Sequence, residues 1–429
     1  MSKMGFMEKL LDGVEIAWKP LGELAEIYGG LNGKSKSDFE DGNAKFVTYK
    51  NIFANIDVDF NSLESVKVSD AENQHKVKYG DVLFTGSSET AEEAGMSSSV
   101  TIQPEEPVYL NSFSFGVRFN ENAMLTPEFS KYLFRSRFMR SEIAKTASGV
   151  TRFNISKERF RKILVPIFCP ENPQKSLEIQ REIVRILDTF TSLTAELTAE
   201  LTARKKQYNY YREQLLRFEE GEVEWKTLGE VTKKWYSGGT PTAGTPEYYE
   251  NGEIPWLRTQ EVKFSDIEET EVKITPSALK NSAAKWIPEN CVIIAISGAT
   301  AGRSAVNKIP LTTNQHCGCL EIDSTKALYR YVFHWVSFNY ENIKALGQGA
   351  RGDLNSSIIR NFKLPIPHAD SPEKSLAEQA RIVAILDKFD ALTSSISEGL
   401  PREITLRQKQ YEYYRDLLLS FPKSEEVVA

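Results

Sequence analysis

Three short motifs contain residue types that could bind a ligand or carry out a reaction. One of them, His316-Cys317-Gly318-Cys319, places an imidazole and two thiols close together, and these are groups that zinc prefers. A closed zinc site needs four ligands, and the sequence offers no second ligand pair at a suitable spacing. We therefore interpret the motif as a strand with two small buried thiols and expect no metal.

The second motif resembles the end of a phosphate-binding loop. Gly33-Lys34-Ser35 has the right residues, but that pattern requires glycine five positions earlier, where Tyr28 stands. The segment is therefore interpreted as an ordinary loop. We predict no nucleotide site there.

Other catalytic patterns are also missing from the sequence. Arg351-Gly352-Asp353 spells an adhesion tripeptide, but its simplest interpretation is a turn. There is no glycine-rich turn for a dinucleotide and no zinc-protease helix motif, and the chain has only 4 histidines. These observations predict that the chain catalyses no reaction by itself.

Internal repetition is the strongest organisational feature of the sequence. Trp18–Glu23 returns as Trp225–Glu230. Two further segments return in the same order: Gln180–Asp188 matches Gln379–Asp387, and Arg204–Arg212 matches Arg407–Arg415. A chain built from two like halves presents two like surfaces, which suits a partner that offers two sites.

Composition indicates an ordinary globular protein. Of the 429 residues, 41% are hydrophobic and 26% are charged, the formal net charge is −6, and the 4 cysteines are too few for a disulfide framework. No apolar run is long enough to span a membrane, and Glu8, Asp12 and Glu15 interrupt any signal peptide, so we expect a cytoplasmic location. A negative chain that binds a polyanion needs local basic patches or a partner to neutralise phosphates.

Two kinds of segment alternate along the chain. From about residue 18 to 170, and again from about 225 to 367, glycine, serine, threonine and aromatics surround short apolar runs. The predicted strands in these globular segments are Val82–Phe84, Tyr109–Phe119, Val292–Ile296 and Cys319–Ile322. After each globular segment comes a long helical pattern.

Both helical patterns carry an apolar stripe that a partner helix would cover. We predict that the two helices pack antiparallel, the first from about residue 176 to 217 and about 60 Å long. Ser371 and Pro372 predict the start of the second helix, and Pro401 predicts a break in it. The stripes are Ile179, Ile183, Ile186, Phe190, Leu193 and Leu197; Ile382, Ile385, Phe389, Leu392 and Ile396; Tyr208, Tyr211, Leu215 and Phe218; and Tyr411, Tyr414, Leu418 and Phe421.

The centre of the first helix contains a tandem tetrapeptide. One unit of four residues advances a helix by about 6 Å and turns it by a net of roughly 40°. A DNA base-pair step turns by about 34 to 36°. An added unit would therefore rotate one half of the protein by close to one base pair, which predicts a spacer role for Thr194, Ala195, Glu196, Leu197, Thr198, Ala199, Glu200 and Leu201.

With these segments in view, the chain resembles the specificity subunit of a type I restriction-modification enzyme, of the IC subfamily. The resemblance covers essentially the whole length and rests on the paired helical segments, the tyrosine-rich tails and the Thr-Ala-Glu-Leu tandem. In the second globular segment, Gly238–Pro241 and Asn251–Trp256 resemble a common pattern of such recognition domains. The first segment departs from it at Gly29–Asn32 and Gly42–Phe46, so a different target is expected for each half.

The resemblance implies an α+β fold in which two globular target-recognition domains are separated by two long antiparallel coiled-coil helices, with a pseudo-twofold internal repeat. The expected segments are residues 1–170 and 219–369 for the recognition domains, and 171–218 and 370–429 for the helical regions. Each domain would read one half of a bipartite site in double-stranded DNA. Two modification subunits with S-adenosylmethionine and two restriction subunits with ATP and magnesium would perform the chemistry, and this chain would bind no cofactor.

Two alternatives remain open at the level of sequence. The chain could be a coiled-coil scaffold whose end domains bind protein or sugar. It could also be an undetected nuclease or methyltransferase. Sequence-selective duplex binding distinguishes the DNA-reading hypothesis from the first, and methyl transfer by the chain alone would support the second.

Candidate DNA contacts are inferred from where polar side chains fall in the repeat. Direct readout uses polar and guanidinium groups on loops, while neighbouring lysine and arginine hold phosphates. Two polar quartets, which begin at Thr48 and Arg258, come after an aromatic residue at matching places. The full set is Lys34, Lys36, Thr48, Tyr49, Lys50, Asn51, Ser87, Ser88, Arg152, Arg258, Thr259, Gln260, Ser297, Arg303, Asn314, Gln315 and Arg351.

Overall fold

The computed structural model describes residues 14–69, 71–219, 221–348, 352–394 and 399–421. It divides the chain into two compact units. Unit 1 contains the described residues up to Ala195 together with those from Leu406 onward, and unit 2 spans Glu196–Thr405. Within the described ranges, no helix is long and apolar enough to cross a membrane.

Unit 1 is built on an antiparallel four-stranded sheet. Its central strand Val82–Thr85 alternates its side chains, so Val82 and Phe84 enter one core while Leu83 enters another. In spatial order the sheet is Ala25–Gly29, Ser114–Phe119, Val82–Thr85 and Ser97–Ser99. The remaining strands form Glu64–Val66 with Ala44–Val47 and Val108–Leu110, Ile16–Pro20 with Leu164–Phe168, and Ala147–Ser148 with Phe153–Ile155 and Ser87–Ser88.

Unit 2 repeats this arrangement with different residues. Its central strand Val292–Ala295 also separates two cores, with Val292 and Ile294 on one side and Ile293 and Ala295 on the other. The main sheet is Thr232–Ser237, Cys317–Ile322, Val292–Ala295, Ser304–Asn307 and Asp266–Ile267. The smaller sheets are Lys273–Ile274 with Ile254–Leu257 and Thr312–Thr313, and Val223–Thr227 with Lys363–Pro367.

The same connectivity recurs in detail. Each unit has a three-stranded sheet in which one pair of strands is parallel. The pair is Ala44–Val47 with Val108–Leu110 in unit 1 and Ile254–Leu257 with Thr312–Thr313 in unit 2. Parallel neighbours need a long crossover between them, so this shared pair indicates one topology used twice. The predicted internal repeat is therefore present in the fold as well as in the sequence.

Short helices cover the sheets of both units. In unit 1 they are Leu21–Leu24, Tyr49–Ala54, Pro127–Leu133, Arg137–Ala144 and Lys157–Phe160, with 3₁₀ turns at Lys36–Phe39, Phe60–Ser62 and Glu121–Ala123. In unit 2 they are Leu228–Val231, Pro246–Tyr249, Pro276–Lys280, Tyr329–Phe338, Tyr340–Ala345 and Ser356–Asn361, with 3₁₀ turns at Thr259–Glu261 and Gly298–Thr300.

Long helices account for the repeated helical patterns. The first, Pro173–Leu216, is termed the long helix and agrees closely with the predicted span. The second pattern forms two helices, Pro372–Thr393 and Gly399–Leu418, termed the second and third helices. Pro372 lies in the first turn behind Ser371, as predicted. The second helix ends at Thr393, before the predicted break, and Pro401 lies in the first turn of the third helix.

Antiparallel packing is present within each unit. In unit 1, Phe168 contacts Phe421 with ring centroids 5.0 Å apart and Phe190 stacks on Tyr414 at 5.2 Å, so the chains run in opposite directions. In unit 2, Tyr208 stacks on Phe389 at 5.8 Å. Phe168 ends the strand Leu164–Phe168, and the other residues in these contacts belong to the predicted stripes.

One part of the helical prediction is incomplete. Leu187 and Leu386 are fully buried although neither belongs to the predicted stripes. Both belong to clusters that combine helix residues with core residues of the recognition domain. The apolar face is wider there because each helix packs against a domain as well as a helix.

The cysteine motif forms a strand, as predicted. Cys317 and Cys319 lie on the strand Cys317–Ile322 and are fully buried, and both are free thiols. His316 stands just before the strand and is exposed.

Candidate nucleic-acid interface

Three of the predicted contact residues of unit 1 lie together at the ends of strands. The Tyr49 hydroxyl donates to the carbonyl oxygen of Ser87 at 2.8 Å. The Nε of Arg152 donates to the Ser87 hydroxyl at 3.0 Å. Arg152 is exposed, so the fold brings a phenol and an accessible guanidinium to one place.

The polar quartet beside them has mixed roles. Thr48 caps the helix Tyr49–Ala54, because its hydroxyl accepts from the backbone N–H of Asn51 at 3.1 Å. Lys50 is exposed. Asn51 is only 4% exposed, and its amide bonds the backbone of Asp59 through both its oxygen and its nitrogen. The side-chain oxygen and nitrogen of Asn51 are thus bonded inside the domain, and its predicted DNA contact stays a prediction.

The remaining predicted residues of unit 1 differ in availability. Lys34 forms an ion pair with Glu72 at 2.5 Å, and its hydrogen bond, with one from Gln74, lowers the pKa of that carboxyl to about 2. Lys36 is exposed. Ser88 is buried and donates to Glu93 at 3.2 Å. The charge of Lys34 is thus paired, whereas that of Lys36 is accessible and has no ion-pair partner among the described residues.

The matching quartet of unit 2 is organised by ion pairs. Arg258 contacts Glu271 at 2.6 Å and Glu261 at 3.5 Å, so its charge is balanced within the domain. Thr259 is half-buried and Gln260 is exposed, both on the 3₁₀ turn Thr259–Glu261. Gln260 is therefore the member of this quartet that is most open to a ligand.

A second group of polar residues surrounds the loop before the strand Cys317–Ile322. Ser297 lies 2.7 Å from Nδ1 of His316, and Thr240 donates to Gln315 at 2.7 Å. Gln315 is exposed, whereas Asn314 is 8% exposed and accepts from the His316 N–H at 3.0 Å. The side chain of Asn314 is thus bonded to the backbone of its own loop, and its predicted DNA contact stays a prediction.

Two predicted residues of unit 2 remain. Arg303 is half-buried and comes directly after Gly302, which has a φ of 86°. Arg351 lies outside the described residues.

Sequence reasoning missed one prominent surface residue. Phe113 is 67% exposed, and its carbonyl accepts from the N–H of Gly86, the residue before Ser87. One feature of the sequence points to this position. In each half an asparagine stands two residues before an aromatic ring, Asn111 before Phe113 and Asn314 before His316. A single sequence does not show that such an aromatic side chain points to solvent.

Repeated ionic contacts hold each recognition domain on its helix. In unit 1, Lys131 contacts Asp57 at 3.2 Å and Asp188 of the long helix at 3.1 Å. In unit 2, Arg330 contacts Asp266 and Asp387 of the second helix, each at 2.5 Å. We call these the anchoring triads, because each joins a domain helix and a repeated helix to a third segment, which is the loop at Asp57 in unit 1 and the strand Asp266–Ile267 in unit 2.

A group in unit 2 combines residues that could hold a metal ion. His334, Asp387 and Asp390 lie close together, beside a cavity of about 280 Å³. Arg330 already balances the charge of Asp387, and burial raises the pKa of Asp390, which disfavours a second carboxylate charge there. The arrangement is therefore an ion-pair network, with His334 hydrogen-bonded to Asp387 at 2.7 Å.

Comparison with known proteins supplies the family. The family model for the type I restriction modification DNA specificity domain matches residues 14–204 and 220–406. The chain is 40% identical over 442 residues to the Type I restriction enzyme EcoR124I/EcoR124II specificity subunit of Escherichia coli, covering 100% of both chains. It is 31% identical to the EcoprrI specificity subunit of Escherichia coli, covering 93% of both.

A solved structure supports the fold. The S subunit of a type I restriction-modification system from M. genitalium aligns with a TM-score of 0.55 at 14% identity, over 96% of this chain and 98% of that one. At that identity the likeness concerns the fold alone. Together with the paired match to the family model, it means that this chain belongs to the specificity subunits of type I restriction-modification enzymes.

Proposed function

We propose that this chain selects the DNA target of a type I restriction-modification complex and catalyses no reaction itself. Each recognition domain reads one half of a bipartite site, and the helical segments set the length of the unread spacer. The observation that carries this proposal is that four strands of the main sheet and the three strands of one smaller sheet follow the same order in both units, while their exposed loops carry different polar residues. A common frame with different loops suits two different half-sites.

The net charge of the chain supports a contribution of partner subunits to the contacts with DNA phosphates. A net charge of −6 disfavours binding of a polyanion by this chain alone, and Lys34 and Arg258, two of the predicted DNA contacts, are already paired to carboxylates. We therefore infer that two modification subunits, which carry S-adenosylmethionine, supply much of the DNA backbone contact in the cytoplasm. Two restriction subunits with ATP and magnesium would complete the complex. This chain would bind none of these cofactors.

Family membership favours DNA recognition over the scaffold hypothesis, because its relatives are named as specificity subunits. The deciding experiment uses the chain assembled with its modification subunits. Binding is measured on a library of duplexes with two randomised half-sites, at several salt concentrations. Enrichment of one bipartite sequence supports the proposal, and equal binding to all sequences contradicts it.

A further inference from the structure

One loop position has the same backbone setting in both units. Asn111 donates its N–H to Val47 at 3.1 Å, and Asn314 donates its N–H to Leu257 at 3.2 Å. Each asparagine side chain then accepts from the N–H two residues later, at 3.0 Å in both cases. Both asparagines are buried, so each acts as a fixed support for the residue two positions further along the chain.

The residue held by that support is Phe113 in unit 1 and His316 in unit 2. Their carbonyl oxygens accept from the next loop, from Gly86 N at 2.8 Å and from Ile296 N at 2.9 Å. At Gly86 a Cβ would lie 2.7 Å from the Phe113 oxygen, so this close approach requires glycine. With N–H and C=O both bonded, the backbone at this position is fixed before any ligand arrives.

The side chains of Phe113 and His316 differ in chemistry, although the hydrogen bonds of their backbones are the same. Phe113 presents an apolar ring that is 67% exposed. His316 is exposed, and its contact with Ser297 through Nδ1 orients the ring and leaves Nε2 for a ligand. A rigid frame that exchanges an apolar group for a hydrogen-bonding group is what two readers of different sequences need.

Neighbouring residues place Phe113 among the predicted DNA contacts. Gly86, which bonds the Phe113 carbonyl, directly precedes Ser87. Ser87 in turn bonds Arg152 and Tyr49. The backbone of Phe113 is therefore bonded to the loop whose next residue, Ser87, bonds the accessible guanidinium of Arg152, and a guanidinium is a suitable partner for a phosphate.

We propose that Phe113 and His316 are equivalent base-reading residues of the two recognition domains. This rests on the proposed function. Phe113 contacts the methyl group of a thymine in the major groove, which is the apolar edge that a base pair offers there. His316 hydrogen-bonds a base edge of the other half-site through Nε2.

The test uses the chain assembled with its modification subunits and duplexes varied one base pair at a time. Phe113→Ala should reduce discrimination roughly 5- to 100-fold at one thymine-containing pair of one half-site, the range for a lost base contact. Discrimination in the other half-site should be unchanged. Replacing that thymine by uracil should weaken wild-type binding but leave the variant unaffected. His316→Ala should alter only the opposite half-site.

Ile102→Ala is the matched control, since Ile102 is a 65% exposed apolar residue of the same domain. It should leave discrimination as in the wild type. Unchanged discrimination in Phe113→Ala, an equal loss on every sequence, or insensitivity of the wild type to uracil would overturn the proposal. If the wild-type complex itself fails to discriminate, the proposed function fails instead, so the two failures are distinguishable.

Discussion

At the scale of single residues, the repeated segments Gln180–Asp188 and Gln379–Asp387 each begin with a glutamine whose side chain is buried. Gln180 is 1% exposed, and its side chain accepts from Thr126 N at 3.0 Å and donates to Met124 O at 2.6 Å. Gln379 is fully buried and accepts from Leu328 N at 2.9 Å. The same amide thus satisfies backbone groups of a domain loop in both units, which gives the repeated glutamine a structural reason.

Replacing Gln180 by alanine should therefore destabilise unit 1. The backbone N–H of Thr126 would lose its acceptor in a partly buried place, and the Met124 carbonyl would lose its donor, which together cost about 1–3 kcal/mol. Urea unfolding should show a lower midpoint with an unchanged slope. Gln174→Ala is the control, because Gln174 is exposed on the same helix. Equal midpoints for the two variants would contradict the structural role.

The buried thiols of unit 2 lead to a pH prediction. Burial, with a smaller contribution from Glu321, raises the pKa of Cys291 from 9.0 to about 12, and burial with Glu261 raises the pKa of Cys317 to about 12. Cys319 shifts in the same direction. At pH 8 these thiols should stay protonated and resist iodoacetamide in the native protein, and should be labelled after denaturation.

The raised pKa values of these thiols also fix the direction in which the stability of the fold changes with pH. Between pH 9 and about 12 the unfolded chain loses these thiol protons before the folded one does, so their contribution to stability is full below pH 9 and falls as pH rises. Mass spectrometry of labelled peptides checks the first expectation, and unfolding midpoints above pH 9 check the second. Rapid native labelling of Cys317 would show that its strand opens.

At the scale of elements, the anchoring triads decide how each domain lies on its helix. Lys131 and Arg330 are 11% and 16% exposed, so each needs its carboxylates to balance a largely buried cation. The Tyr132 hydroxyl also donates to Asp188 at 2.5 Å, and His334 bonds Asp387. The aspartate that ends each repeated motif is thus the contact point of a domain helix.

Asp188 is itself 49% exposed, but its partner Lys131 is only 11% exposed, so removing the Asp188 charge should cost more than removing a carboxylate whose partner cation lies in solvent. Asp188→Asn leaves Lys131 with one carboxylate fewer and should lower the free energy of unfolding by about 1–3 kcal/mol. Glu182→Gln, which breaks an exposed pair with Arg185, should change it by less than about 0.5 kcal/mol. Denaturant titration of both variants provides the measurement. A loss as small for Asp188→Asn as for the control would show that the triad carries no stability.

Elements were predictable where local pattern decides the structure. The runs at Val82 and Val292 became central strands because their alternating side chains fill two cores. Leu187 was missed because its burial depends on a domain that packs from outside the helical stripe. In the site, the positions of Tyr49 and Arg152 in the repeat did not predict that both side chains bond Ser87. The burial of Asn51 was not predictable either, because it depends on the distant loop at Asp59.

At the scale of the whole molecule, the long helix connects the two recognition domains along the chain. It runs without interruption through both tetrapeptides, and the boundary between the units falls after Ala195, inside the first of them. Leu197 and Leu201 are half-buried, and Glu200 pairs with Arg204 at 2.7 Å. The tandem is therefore part of one continuous helix.

A third tetrapeptide inserted after Leu201 should lengthen the tolerated DNA spacer by about one base pair. Four residues are close to one helical turn, so the apolar stripe stays on nearly the same face while the helix gains about 6 Å and a net turn of roughly 40°. The third helix crosses the same boundary at Leu406 and would have to shift by about one turn against the long helix. Bending of the DNA would absorb the remaining axial difference.

The measurement is methylation mapping in cells that carry the complete system, supported by binding to duplexes with spacers of different length. Both half-site sequences should stay the same, because the recognition loops are untouched. The control is a four-residue insertion after Glu105, in an exposed loop of unit 1, which should leave the spacer unchanged. An unaltered spacer after the Leu201 insertion would mean that the helix does not measure distance on DNA. A changed half-site would mean instead that the insertion reaches the reading loops.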